Sequence, residues 1–344
     1  MTAVKISASE LQAQAEIFLN ALFKKMQARD LKISDHWDID HLCFRVESQN
    51  AYESYKTTFS DLGVLLTESH VNGRAIATFE LHTAIQYKDW LIRLIELPAP
   101  KKGKVTRAGF EHIEVVVDLP LEEIMEKHST IEWDTSGLEK IFNSELEANF
   151  GESAVKFHHV SLKSVINFEQ RPKIAIVVSE LKLLEMFKDH QPFIAGTFPL
   201  AIETPSADID FLVTFDDPNE FANQCKEGFG LLPEFEISTG EIHNLSYSLC
   251  RFEYRGVPVE IFCSSLSTYR QNAFLHFQAE EKILKYGPAS WSEQVIQLKM
   301  RGLKTEPAFA HLLNSDEVNA YQLMLELQKR PIAELRRSIR SSLN

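Results

Sequence analysis

The sequence has no apolar run long enough to cross a bilayer as a helix. Its longest purely aliphatic stretch is Ile174-Ala175-Ile176-Val177-Val178, against the roughly 20 residues such a span needs. No basic region followed by an apolar one opens the chain, so a secretory leader is not expected. Cysteine is scarce. Cys43, Cys225, Cys250 and Cys263 lie far apart and form no C-x-x-C. That argues against a zinc ribbon or thioredoxin motif and for free thiols in a cytoplasmic protein. Positive charge is in deficit, with 36 Lys and Arg against 49 Asp and Glu, a net charge of −13. Duplex DNA is a poor partner for such a chain, because phosphate neutralisation supplies most of that affinity. A membrane partner is not expected either.

What is present is ordinary globular material: 44% apolar and 25% charged residues over 344 positions. At about 150 residues per domain, that length predicts two domains. The pattern predicts an amphipathic helix over 9–28, capped by Ser9, with Leu11, Ala15, Phe18, Leu22 and Met26 on its apolar face. A strand is expected over 40–46, a helix over 51–62, a hairpin of 64–69 with 74–81 around Asn72-Gly73, and a strand over 90–97. The order then repeats: a strand over 112–117, a helix over 120–128, and further strands up to 154–160. Residues 36–162 thus read as two copies of strand–helix–three strands, which would place equivalent positions of both copies around one cleft.

Strand alternation puts Leu42, Phe44 and Val46 on one face, and His41, Cys43 and Arg45 on the other. The second copy likewise aligns His112, Glu114 and Val116. The last strand of each copy offers a further donor, Glu96 and His158. Three imidazoles and a carboxylate suit a divalent transition metal such as Zn, Ni, Fe or Mn. Ordinary strand histidines are the alternative. His36, His70, His82, His128 and His159 read as bystanders.

The stretches DIDHLCFRV, LLTESHVNGRAIATFELH, LIELPAP, GFEHIEVVV and VKFHHVSL, within residues 10–165, resemble the YecM family. That family lies in the vicinal-oxygen-chelate superfamily, which includes glyoxalase I. The resemblance implies paired βαβββ units in a half-barrel, with a metal held by His41, Glu96, His112 and His158. Glyoxalases commonly have Glu at the fourth position, so His158 argues against a glyoxalase reaction. A fold and a metal site are implied more than a substrate; a small molecule is the expected one.

The second half has another rhythm, with the boundary near Gln170-Arg171-Pro172. A helix is expected over 179–190, strands over 193–198 and 208–215, a helix over 218–226, and a hairpin of 246–255 with 257–263. Helical segments follow over 268–286, 290–300 and 317–328. Asp208 and Asp210 alternate onto one strand face, ~7 Å apart, where paired carboxylates suit Mg²⁺. Glu260, in VPVEIF, is a candidate third acid. Gly196 lets a phosphate approach the backbone, and Thr197 offers a hydroxyl.

This combination resembles the nucleotidyltransferase superfamily, with Thr197 in place of the usual serine. The stretches GTFPLAI, SADIDFL, VEIF, AFLHFQAEEKIL and LKMRGLKTEPAFA resemble an uncharacterised nucleotidyltransferase-like family over residues 172–330. The implied roles put Asp208 and Asp210 on two Mg²⁺ ions. Glu260 would sit on the catalytic metal or activate a hydroxyl, and Gly196 and Thr197 would meet the phosphates of a nucleoside triphosphate. Lys299 and Lys304 are candidates for the triphosphate, and Arg270 and His276 for the cleft wall. The cationic run Lys329 to Arg340 reads as a solvated helix end or a contact for an acidic partner.

The expected architecture is therefore α+β in two domains. Residues 1–168 form a YecM-like vicinal-oxygen-chelate metal-binding domain. Residues 172–344 form a nucleotidyltransferase-like mixed sheet with a helical C-terminus. The expected function is transfer of a nucleotidyl group to an unknown acceptor. The alternatives are a binding or regulatory protein with a metal-binding cleft and an inactive transferase relic, and a toxin- or antitoxin-like transferase.

Overall fold

The computed structural model describes residues 5–343, except 72, 102, 104, 105, 243, 244 and 316–318. Asn72 of the expected turn and Glu317 of the expected helix lie outside the described residues. Two compact units emerge. One runs to Val117 and includes Leu121–Leu162; the other comprises Asp118–Pro120 and Lys163 onward. Both mix helices with a sheet of their own, an α+β class. Among the described residues, no helix is long and apolar enough to cross a membrane.

In the first unit, α1 (Ala8–Ala28) is capped by Ser7 rather than Ser9. Ser7 Oγ accepts from the Glu10 amide at 3.3 Å, and the Glu10 carboxylate accepts from the Ser7 amide at 2.8 Å. This reciprocal capping box fixes the helix start. Leu19, not Phe18, is buried with Leu11, Ala15, Leu22 and Met26. The first copy of the repeat is β1 (Asp38–Arg45), α2 (Gln49–Leu62), β2 (Gly63–Val71), β3 (Arg74–Tyr87) and β4 (Trp90–Pro98). The second is β5 (Gly109–Val116), α3 (Leu121–Lys127), β6 (Trp133–Asp134), β7 (Leu146–Asn149) and β8 (Ala154–His158). Together they make one sheet of order β2-β3-β4-β1-β5-β8-β7-β6.

The duplication is visible in the pairing. β1 runs parallel to β4, β5 parallel to β8, and the copies join through antiparallel β1 and β5. β1 is buried along nearly its whole length. On one face Phe44 packs against Tyr55 and Phe59, with ring centroids 4.8 and 5.4 Å away. The other face carries His41, which is equally buried. Polar groups buried this way cost free energy unless they find partners.

The second unit opens with α4 (Leu162–Glu169) and α5 (Pro172–Glu180), followed by the short α6 (Leu183–Met186). The helix expected over 179–190 is therefore displaced. Pro172 occupies the first turn of α5, where its missing N–H costs nothing. The aliphatic run then buries Ile174, Val177 and Val178 at helical spacing. Lys182, with a φ of 52°, breaks α5 from α6.

Next come β9 (Phe193–Ile194), α7 (Thr197–Leu200), β10 (Ile209–Thr214) and α8 (Pro218–Phe229). The strand expected over 193–198 is cut short because Gly196, with a φ of 72°, turns the chain into α7. A polar strand not expected from the sequence, β11 (Glu236–Ile242), joins the hairpin of β12 (Leu245–Tyr254) and β13 (Val257–Ser264). The sheet order is β11-β12-β13-β10-β9. Helices α9 (Asn272–Tyr286), α10 (Trp291–Met300), α11 (Thr305–Leu312), α12 (Ala320–Gln328) and α13 (Ile332–Ser342) complete the unit. Phe187 anchors the core, with Phe211, Phe215 and Phe221 about its ring at 5.9–6.2 Å.

Candidate functional site

Each unit holds a polar cluster inside its fold. In the first, register places His41 opposite Glu114 and Cys43 opposite His112 across β1 and β5. On the outer neighbours, Cys43 pairs with Glu96 of β4, and Val116 with His158 of β8. His41, Glu96 and His112 bring donor atoms within 4.8 Å of one another, and so do Asp40, His41 and His158. The four ligands expected from sequence thus fall in two overlapping groups that share His41. A third group joins Cys43 and Glu111 to His112.

The carboxylate among all three imidazoles is Glu114. Its Oε1 lies 3.6 Å from His41 Nε2 and 3.4 Å from His112 Nε2, and its Oε2 lies 3.4 Å from His158 Nε2. None of these Nε2 atoms has a hydrogen-bond partner, although all three are buried. The separations exceed the N–H···O range of about 2.7–3.2 Å. They match the ligand-to-ligand edge of about 3.3 Å that tetrahedral geometry gives for bonds near 2.0 Å. Asp40 Oδ2 holds His41 Nδ1 at 2.8 Å, and Glu111 Oε2 holds His112 Nδ1 at 3.1 Å. Such outer carboxylates fix the ring and leave the Nε2 lone pair facing inward. The residues fit a divalent metal.

The electrostatics agree. Burial opposes charge on His41, but Glu114 and Asp40 outweigh it and raise its pKa well above the usual value. Burial likewise opposes charge on His112, and the groups around it, Cys43, Glu111 and Glu114, raise its pKa. Glu114, which burial would keep neutral, is held well below the usual carboxylate range by His41, His112 and Lys156. Lys156 Nζ stands 3.6 Å from Glu114 Oε1. A bound cation would take over this positive charge and release protons from the rings.

In the second unit, parallel β10 and β13 place Asp210 directly beside Glu260. Asp208 stands just before β10. Gly196 faces them: a β-carbon on it would lie 1.9 Å from Asp210 Oδ2. These residues, with Thr197, Lys299 and Lys304, line a cleft of about 550 Å³. Burial pushes Asp210 up to about 8, with Asp208 and Glu260 adding to the rise and Lys299 opposing it. Lys299 Nζ donates to the Ile202 carbonyl at 3.1 Å. Arg251 Nε donates to Glu260 Oε2 at 2.8 Å.

His276 of α9 also lines this cleft, and its Nδ1 lies 3.1 Å from Glu306 Oε1. Arg270 sits in the turn Thr268–Arg270 and is not among the lining residues. Glu280, a turn beyond His276 on α9, lines the cleft while almost wholly buried. Burial raises its pKa well above the usual range.

Sequence reasoning missed Glu114 as a donor, although its two-residue spacing from His112 marked a shared strand face. It also missed Asp40, whose place beside His41 follows from a register shift between Ile39 and His41. Glu280 and Glu306 went unnoticed because their helices return to the cleft from a distance in sequence.

Comparison with known proteins divides the chain the same way. Residues 7–169 match the YecM protein family, and residues 176–327 match a domain of unknown function, DUF4269. Protein YecM of Escherichia coli strain K12 is 28% identical over 171 residues, covering 44% of this chain and 89% of that protein. An uncharacterized protein of Haemophilus influenzae strain Rd is 33% identical over 127 residues, which are 37% of this chain. The chain spans 66% of that relative, just under two thirds of its length.

Among solved structures, the structural-genomics protein EC4020 aligns with a TM-score of 0.41 at 25% identity, covering 47% of this chain and 96% of that one. The RNA terminal uridylyl transferase Cid1 aligns with a TM-score of 0.31 at 14% identity, covering 45% and 48%. The N-terminal half is thus similar in sequence to the YecM family, and the C-terminal half to DUF4269.

Proposed function

We propose that the second unit is a nucleotidyltransferase that moves a nucleotidyl group from a nucleoside triphosphate to an acceptor, with two Mg²⁺ ions held by Asp208, Asp210 and Glu260. The observation that carries this reading is the register pairing of Asp210 with Glu260. Two carboxylates stand side by side in a cleft that also offers Asp208, Gly196, Thr197, Lys299 and Lys304. Oxygen donors of this kind suit hard Mg²⁺, and the burial and neighbouring carboxylates that push Asp210 up are offset by a cation. Bound Mg²⁺ supplies charge stabilisation to the attacking and leaving oxygens of an in-line displacement. The protein's own groups bind and orient. The bare Gly196 backbone admits a phosphate, the Thr197 hydroxyl donates to it, and the two lysines neutralise the triphosphate.

The first unit, in this reading, binds a divalent transition metal (Zn, Ni, Fe or Mn) through His41, His112 and His158, with a carboxylate from Glu96 or Glu114. Its cleft takes a small molecule. Titration calorimetry of the whole chain tests the transferase half. ATP binds only with Mg²⁺ present, and Asp210→Asn weakens that binding at least tenfold. Equal binding by the variant contradicts the assignment.

One contact favours a second reading. Arg251 holds Glu260 Oε2, an oxygen the metal would use, as expected for a silent cleft that only senses its ligand. Arg251 is half exposed, at 51% of its side chain. Mg²⁺-dependent binding with no release of pyrophosphate would select this second reading.

A further inference from the structure

His276 and Glu306 are not explained by metal or phosphate binding. His276 is 8% exposed, and its Nε2 is buried with no hydrogen-bond partner. Its Nδ1 lies 3.1 Å from the Glu306 carboxylate. Glu306 accepts the Nδ1 hydrogen, which leaves the Nε2 lone pair as the ring's free position. Both residues line the same cleft as Asp208, Asp210 and Glu260. An imidazole fixed by a carboxylate, with its second nitrogen unpaired, is the arrangement of a general base.

The other acids of the cleft are poorly suited to that task. Asp208, Asp210 and Glu260 are the assigned metal ligands. Burial opposes the charged form of Glu280.

Resting on the nucleotidyl-transfer reading above, we infer that His276 Nε2 accepts the proton of the acceptor hydroxyl, with Glu306 positioning the ring and stabilising the imidazolium. The hydroxyl oxygen forms a bond to the α-phosphorus. The bond from that phosphorus to the bridging oxygen of the β-phosphate breaks, and pyrophosphate leaves with the electron pair. The proton on Nε2 then passes to solvent. The acceptor class is accordingly an alcohol or sugar hydroxyl, not a carboxylate or phosphate, which would bring no proton to remove.

The groups that face His276 come from several elements. Glu306 faces it from α11, and the Tyr321 ring lies 6.0 Å away on α12. Glu280 sits a turn along the same helix. Lys299 of α10 and Lys304, which precedes α11, share the cleft, as do Asp208, Asp210 and Glu260 on the sheet side.

The test is pyrophosphate release from Mg-ATP by the full chain, with glycerol as the acceptor hydroxyl, across a pH series. His276→Gln is expected to lower kcat by about 100-fold or more, to leave the KM for Mg-ATP unchanged, and to erase the acidic limb of the rate profile. Glu306→Gln keeps the ring but weakens support for the imidazolium, so that limb moves to lower pH. Both variants should melt as the wild type does.

Loss of activity in Asp210→Asn with an unchanged rate and pH profile in His276→Gln would overturn the base assignment and leave nucleotidyl transfer standing. A wild type that neither binds Mg-ATP nor releases pyrophosphate overturns both together.

Discussion

Gly196 and Asp210 approach so closely that a β-carbon on Gly196 would stand 1.9 Å from Asp210 Oδ2. Gly196 also has a φ of 72°, a conformation costing a non-glycine residue roughly 1 kcal/mol or more. Gly196→Ala therefore strains the backbone and displaces the carboxylate together. The expected result is a fold weakened by about 1–3 kcal/mol with Mg-ATP binding lost. Urea denaturation beside calorimetry checks both, and a variant that binds as tightly as wild type contradicts this geometry.

Asp210 carries a second prediction. Its pKa of about 8 in the fold stands above the ordinary 3.8. Between those values the native state holds a proton that the unfolded chain has released, so stability falls as pH rises from about 4 to about 8. Asp210→Asn removes that slope. In metal-free buffer above pH 8 the variant should melt at a higher temperature than the wild type, while being inactive. Equal melting temperatures at pH 5 and pH 9 in the wild type would show that Asp210 is not crowded as described. Mg²⁺ should stabilise the wild type and leave Asp210→Asn nearly unmoved.

The first cleft separates two carboxylates. If Glu114 is the metal's oxygen donor among the three imidazoles, Glu114→Gln lowers transition-metal affinity by at least about 100-fold. Asp40→Asn, acting through His41, lowers it by about 10–100-fold. Competition with a chromogenic chelator measures both. If Glu96→Gln abolishes binding and Glu114→Gln leaves it intact, the donor is Glu96, and Glu114 serves only as a counter-charge to Lys156.

Much of this was legible in the residues, for physical reasons that differ by site. Asp208, Asp210 and Glu260 stood out because a period of two, applied to the strand expected over 208–215, puts Asp208 and Asp210 on one face; the strand itself starts at Ile209, and its parallel register seats Glu260 beside Asp210. The repeat of β1 to β4 in β5 to β8 was visible as matching strand starts at His41 and His112. Glu114 was passed over because an acid on a strand carries no mark of burial; only the pairing with His41 reveals it. The helix starting at Pro172 was misplaced because a proline suits a loop and a first helical turn alike. His276 and Glu306 lie 30 residues apart on different helices, and their meeting is a product of tertiary packing that no local pattern encodes.

Packing offers a check on the fold of the second unit. Phe187 is fully buried among Phe211, Phe215 and Phe221. Phe187→Ala should cost about 3–5 kcal/mol, read as a lower urea midpoint. A loss under about 1 kcal/mol would place Phe187 outside this core.

The most direct test of the central claim is pyrophosphate release by the purified full chain, incubated with each of the four ribonucleoside triphosphates, Mg²⁺ and glycerol. Release is expected only with Mg²⁺, and it is lost on substitution of Asp208, Asp210 or Glu260 by the matching amide. Release that persists in Asp210→Asn, or a wild type inert with all four nucleotides, would contradict it.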